Sequence, residues 1–280
     1  MVRKIIENTA EGRIEGTHTS CTSSIINLSL DIFGRNVTIG ARVANREGTL
    51  PEIVPLARKL ADRIVRQTTE SLSEQGTPVT CVKGCSACCR YLVPLSVPDV
   101  FRITEELLDV SAECGSAILQ SSIEAAKAII GSRPEFGGSG ECPSDEEGTS
   151  DFMEDVNEWY SGLELDCPLL RDRLCTIYDN RPLACREHIV TGSTDLCRSG
   201  EDYESQVVPL PVSILDCLAE LVAELEGGEV ESVMTPLLLP WAHNNSERGQ
   251  RTWPAPMMVQ RFFEMVRHKA AAAEETVYSR

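Results

Sequence analysis

Residues 79–91 read VTCVKGCSACCRY, and residues 166–197 read DCPLLRDRLCTIYDNRPLACREHIVTGSTDLC. The first stretch holds Cys81, Cys85, Cys88 and Cys89; the second spaces Cys167, Cys175, Cys185 and Cys197 along a proline-punctuated run. A cysteine that only fills a core needs no near neighbour, whereas a soft metal needs several sulfurs converging on one point. The eight are read as metal ligands, for zinc or for an iron–sulfur cluster. Structural zinc takes four tetrahedral thiolates a few residues apart. A cubane cluster also takes four, often from a tight run plus a distant fourth. Neighbouring side chains of an extended segment point opposite ways, so Cys88 and Cys89 can face two metals, or one of them can bridge. Eight thiols make two four-sulfur sites, or one site with spare thiols for redox work, and the spacing leaves both open.

The flanks set the fold class. SIINLSLDIF and NVTIGARVA alternate apolar and polar around FGRN, which predicts a β-hairpin over residues 24–45. Residues 50–75 predict an amphipathic helix, with Pro51 near its start, Ile53, Leu56, Leu60, Ile64 and Val65 at helical spacing, and Gly76 and Pro78 beyond its end. After the first cysteine loop, a helix is expected from Ser96 or Pro98, and another over 111–131. Residues 132–150, rich in glycine, serine and acid, predict a mobile surface loop, and no lysine or arginine occurs from 134 to 170. A short helix before Cys167 and two long ones at about 211–226 and 254–273 complete the pattern. The second cysteine stretch lacks periodicity and reads as loop with short turns. The expected class is mainly α (α+β): helices around a loop-rich cysteine metal-binding core, with a small N-terminal β-hairpin. The expected parts are residues 1–78 (hairpin and helix), 79–200 (cysteine domain with an acidic insert at about 132–166) and 201–280 (helical extension).

The 280 residues are 42% hydrophobic and 25% charged, an ordinary globular composition, and carry a net charge of −17. Nucleic acid and anionic membrane surfaces select basic faces, so both are excluded as expected partners. The opening MVRKIIENTAEGRIEG has no apolar run or small-residue cleavage site, and no apolar stretch approaches the roughly 20 residues that span a bilayer. A cytoplasmic chain is therefore expected. There thiols stay reduced, and a dense cysteine pattern reads as metal-binding or redox-active instead of as disulfide staples.

Other residues carry weaker signals. Cys21, Cys114, Cys142 and Cys217 lack partner spacing, and Cys217 reads as a small hydrophobe on an apolar helix face. His188 is a candidate ligand or proton donor, although an ordinary histidine is the simpler reading. Arg181 and Arg186 flank Cys185, where a guanidinium could donate to a metal-bound thiolate or simply form a salt bridge. Met257, Met258, Phe262, Phe263 and Met265 read as core.

At CVKGCSACCR and CPLLRDRLCTIYDNRPLACREH the chain resembles the YkgJ-type cysteine-cluster proteins, described as a CxxCxxCC zinc- or iron-chelating domain. The resemblance covers about residues 81–197. It implies a metal site of Cys81, Cys85, Cys88, Cys89, Cys167, Cys175, Cys185 and Cys197, with Tyr178, Arg181, Pro182 and Arg186 as framework positions. The first spacing is x3 here, where x2 is usual. The family includes the flagellin lysine N-methylase, and some members are labelled iron–sulfur oxidoreductases. The resemblance therefore allows three roles: a metal-binding protein of structural or regulatory kind, an enzyme (cluster-dependent oxidoreductase or protein lysine N-methyltransferase), or a metal store or chaperone. No glycine-rich strand–turn–helix for an adenosyl cofactor is present, since GGSG at 137–140 sits in the acidic loop.

Overall fold

The computed structural model describes residues 6–8, 22–132, 155–193, 197 and 207–278. Apart from residue 132, the loop expected over 132–150 lies outside the described residues, as do Cys21 and Cys142. The hairpin forms as the alternation requires. Strands β1 (Ile6–Asn8), β2 (Ser23–Ile32) and β3 (Arg35–Ala44) make an antiparallel sheet ordered β1–β3–β2, with Ile32 opposite Arg35 and Ser23 opposite Ala44. The two-residue turn places Phe33 at φ 55° and Gly34 at φ 74°, the left-handed pair of a tight hairpin turn, and the Gly34 amide donates to Asp31 Oδ1 at 2.7 Å. One face of the sheet, with Leu28, Leu30, Ile32, Val37, Ile39 and Val43, is buried.

Strand β4 (Glu47–Thr49) runs through a 3₁₀ turn into helix α1 (Val54–Glu74). Then follow β5 (Pro94–Ser96), α2 (Val97–Glu106), α3 (Ala112–Ser132) and α4 (155–162). The second cysteine stretch contributes β6 (Leu170–Arg171), β7 (Leu174–Cys175) and α5 (Leu183–Glu187). The chain continues through α6 (Ile214–Glu226), β8 (Ser232–Met234), α7 (Leu238–Asn244), β9 (Thr252–Pro254) and α8 (Ala255–Tyr278). The mainly α class with a small β element is the one the sequence predicts.

Two apolar clusters hold these elements together. In the first, α1 and α8 cover the buried face of the hairpin sheet, and α6 packs beside both. Met258, Phe262 and Phe263 are fully buried there and Cys217 joins them, as expected of core residues. The second cluster gathers Leu95, Val100 and Ile103 with Ile118 of α3 and Leu238 of α7, and it takes in Leu169 and Ile177 from the second cysteine stretch. Ladders between residues distant in sequence brace the whole. Strand β4 pairs with β9, and β5 pairs with β8, with Leu95 opposite Val233. A buried ion network crosses between helices, where Arg58 of α1 donates to both oxygens of Glu106 at 2.9 Å and lies 3.7 Å from Asp99. Among the described residues no helix is long and apolar enough to cross a membrane.

Candidate metal centre

The first cysteine stretch is a chain of tight turns. The amides of Cys85, Cys89 and Tyr91 donate three residues back, to Val82, Ser86 and Cys88. Gly84, at φ 95°, takes a backbone conformation that a side chain would strain, and so lets the chain reverse between Cys81 and Cys85. In the second stretch, β6 and β7 form a minimal hairpin that sets Cys175 opposite Leu170, and the Leu170 amide donates to the Cys167 carbonyl at 2.9 Å. Its turn residues, Asp172 and Arg173, both have positive φ. Cys185 rides on α5.

Main-chain bonds tie the two stretches together. The Cys167 amide donates to the Cys89 carbonyl at 2.6 Å, and the Thr80 amide to the Val190 carbonyl at 3.0 Å. Val190 returns its own amide to Cys81 Sγ at 3.4 Å. The Tyr91 hydroxyl donates to the Cys197 carbonyl. Residues 78 to 110 positions apart are thereby held side by side.

The thiols consequently act on one another. Cys88 stands within electrostatic reach of Cys81, Cys167, Cys175, Cys185 and Cys197, and it accepts a hydrogen bond from Cys89. Cys85 is a neighbour of Cys81 and Cys197. All the described cysteines are free thiols. Among the described residues, no three Cys, His, Asp or Glu side chains yet converge to metal-holding distance. The thiols are gathered, not closed.

Family comparison singles out the same part of the chain. The family model described as "CxxCxxCC: Putative zinc- or iron-chelating domain" matches residues 80–205. Residues 80–205 are thus similar to a CxxCxxCC domain. Metal binding is the property which that description attaches to it. No curated protein and no solved structure matches the chain.

Electrostatics give the thiols of the two stretches unequal character. The Cys89 hydrogen bond lowers Cys88 to about 7 against the opposing effect of burial, and the Arg181 charge helps. The same bond drives Cys89 strongly upward. Burial pushes Cys167 up to about 12 and raises Cys185, Cys175 and Cys197 as well. Without metal the cluster is therefore mostly neutral thiol around one acidic sulfur. A metal would have to displace the remaining protons, because the thiolate is the ligand form.

The two arginines beside Cys185 have different tasks. Arg186 is committed to the scaffold: its Nη1 spans both oxygens of Asp62 on α1 at 2.6 and 2.8 Å, its Nε donates to the Arg181 carbonyl at 2.9 Å, and its Nη2 donates to the Asp179 carbonyl. Arg181 faces the sulfurs. Its guanidinium lies 4.4 Å over the Tyr178 ring, and its charge favours the thiolate forms of Cys81, Cys88, Cys175 and Cys185. Its buried Nε has no hydrogen-bond partner among the described residues, and a thiolate sulfur would supply one. This orphaned donor and the all-sulfur surroundings suit a soft metal ion carrying excess thiolate charge. Lys83 sits over the same ring at 5.0 Å and pairs with Asp179 at 2.9 Å.

Two neighbours of the site escape sequence reading. Tyr91 clamps Cys197. The Glu187 carboxylate caps α6, accepting from the Ile214 amide at 2.7 Å and from the Ser213 hydroxyl at 3.2 Å, and burial raises it to about 7. Only Glu187 carries a signal, standing two residues beyond Cys185. His188 ends α5, its amide donating to the Ala184 carbonyl, and burial lowers its imidazole pKa.

Proposed function

We propose that this protein is a thiolate metal-binding protein whose CxxCxxCC domain holds zinc or an iron–sulfur cluster through Cys81, Cys85, Cys88, Cys89, Cys167, Cys175, Cys185 and Cys197. The observation that carries the reading is the position of Cys88, which neighbours thiols from both stretches. Sulfur-only donors select zinc or iron over hard cations such as magnesium or calcium. The segments bearing the thiols are tight turns, a minimal hairpin and the short helix α5. The role this supports best is a structural or regulatory site in a cytoplasmic protein. A second reading, a metal store or chaperone, is favoured by the exposure of Cys81, through which an ion could exchange with solvent carriers.

Metal analysis and an absorption spectrum of protein purified without oxygen test the proposal. Stoichiometric zinc in a colourless protein supports the structural site. Iron and sulfide in a brown protein support a cluster. Metal-free protein with all its thiols titratable would overturn both.

A further inference from the structure

Helix α3 carries two apolar stripes, and the fold uses one of them. Ile118, Ser122, Ala125 and Ile129 are buried, with Ile118 in the second apolar cluster. The residues one position on, Leu119, Ile123, Ala126 and Ile130, repeat the same helical spacing on the adjacent flank. There Leu119 is 49% exposed, Ile123 40% and Ile130 74%. The flank on the other side of the buried stripe is occupied: Arg171 donates to the Ser121 hydroxyl at 3.1 Å, and the Trp159 indole to the Ser132 carbonyl at 2.9 Å. Toward the start of the helix the outer stripe continues through Ser116 and Ala112, both exposed. Its six positions alternate steps of four and three residues, the 3.5-residue repeat of a helix-pairing seam.

We propose that this seam seats α3 of a second copy of the chain, antiparallel, and so makes a two-fold dimer. Charge selects that occupant. Helix α3 has three charged residues, Glu113, Glu124 and Lys127. Glu124 accepts from Gln120 at 2.6 Å on the polar side of the helix. Glu113 and Lys127 are exposed beside the seam, two heptads apart at the same heptad position, and neither has an ion-pair partner among the described residues. Setting Leu119 opposite the partner's Ile123 also sets Ser116 opposite the partner's Ala126 and Ala112 opposite the partner's Ile130, so the whole seam is used. The same register brings Lys127 beside the partner's Glu113, twice by symmetry. A parallel copy would oppose like charges instead. Over most of its surface a chain of net charge −17 repels its own copy, whereas α3 is nearly neutral. No cysteine lies on the seam, so the dimer does not depend on the metal reading.

The test is analytical ultracentrifugation of the full chain as purified, from about 1 to about 100 μM. The wild type is expected to reach twice the 30.7 kDa of the single chain. Ile123→Glu puts a good helix former at an exposed position, and circular dichroism checks that it is folded. It should raise the dissociation constant at least about 100-fold, because each dimer loses the isoleucine twice. Lys127→Glu and Glu113→Lys should each weaken the dimer about 3- to 10-fold. The protein carrying both changes should recover most of that loss, as only contact between these two residues across copies allows. If Ile123→Glu does not fold, the charge variants decide alone. A wild type that stays monomeric at the highest concentration would overturn the proposal and leave the stripe to a different protein. A dimer untouched by these substitutions would place the interface elsewhere, and a double variant no tighter than the single ones would overturn the antiparallel pairing.

Discussion

The main-chain amide of Cys167 donates to the carbonyl of Cys89 at 2.6 Å, a bond between the two cysteine stretches in which no thiol takes part. The Thr80–Val190 bond closes the other side of the same region. The two stretches that carry the candidate ligands are thus joined by main-chain bonds independent of any metal, unlike small zinc modules, which are unfolded without theirs. Hydrogen exchange of the metal-free protein should find the Cys167 and Thr80 amides slowed by at least about 100-fold, equivalent to about 2.8 kcal/mol of opening free energy. Exchange at unfolded-chain rates would instead mean that metal, not backbone, gathers the stretches.

Arg186 connects that region to the helical core. Replacing it with alanine removes the Asp62 ion pair and two carbonyl contacts at once. Asp62 is 47% exposed and can rehydrate, so the cost comes mainly from the carbonyls, of which Arg181 O and Asp179 O lose their donor. Denaturant unfolding should show a loss of about 1–3 kcal/mol. Arg186→Lys should recover little of it, because a point charge cannot serve three acceptors in the fork geometry of a guanidinium. Asp62→Asn should cost less than Arg186→Ala.

Asp99 makes stability depend on pH. It is fully buried, and burial raises its carboxyl above the ordinary 3.8, against the opposing effects of the Arg58 charge and the Ser96 hydroxyl. An acid raised in the folded state favours its protonated form there. That contribution is complete below the unfolded pKa and is lost as pH rises through the folded one. Asp99→Asn keeps a neutral side chain at every pH. Unfolding of both proteins by urea, measured upward from about pH 4, should therefore show the variant gaining on the wild type as pH rises. Parallel stability curves would show that Asp99 is ionised in the fold and paired with Arg58.

Much of the fold is legible because it is periodic. The hairpin alternates strictly, its turn contains Gly34, and α2 begins at Ser96, whose hydroxyl accepts from the Asp99 amide. What stays hidden has no period to display. The ladders of β4 with β9 and β5 with β8 are three residues long and join ends of the chain that sequence treats as unrelated. The β6–β7 hairpin turns on Asp172 and Arg173, which lack the asparagine or glycine that would announce left-handed backbone. The ligand candidates could be named from spacing, but the tasks of the arginines beside them could not. Arg181 and Arg186 flank Cys185 in the chain, four residues before it and one after. They diverge only because α5 carries Arg186 onto α1, whereas Arg181 precedes Pro182 in an extended conformation.

Arg181 therefore has an expected effect separate from folding. Its charge favours the thiolates of Cys81, Cys88, Cys175 and Cys185, and the Tyr178 ring 4.4 Å beneath it fixes its plane. Arg181→Gln keeps a polar side chain but removes the charge. Competition with a chromophoric chelator should show zinc affinity lowered by about 10-fold, the effect usual for a group that supports metal ligands from behind, while thermal unfolding of the metal-free protein changes little. Arg181→Lys should restore part of the affinity through charge alone, and Tyr178→Leu, which keeps the charge but frees the guanidinium, should lose part of it. If zinc affinity is the same in all three variants, the guanidinium belongs to the Tyr178 stack and has no part in balancing the thiolates.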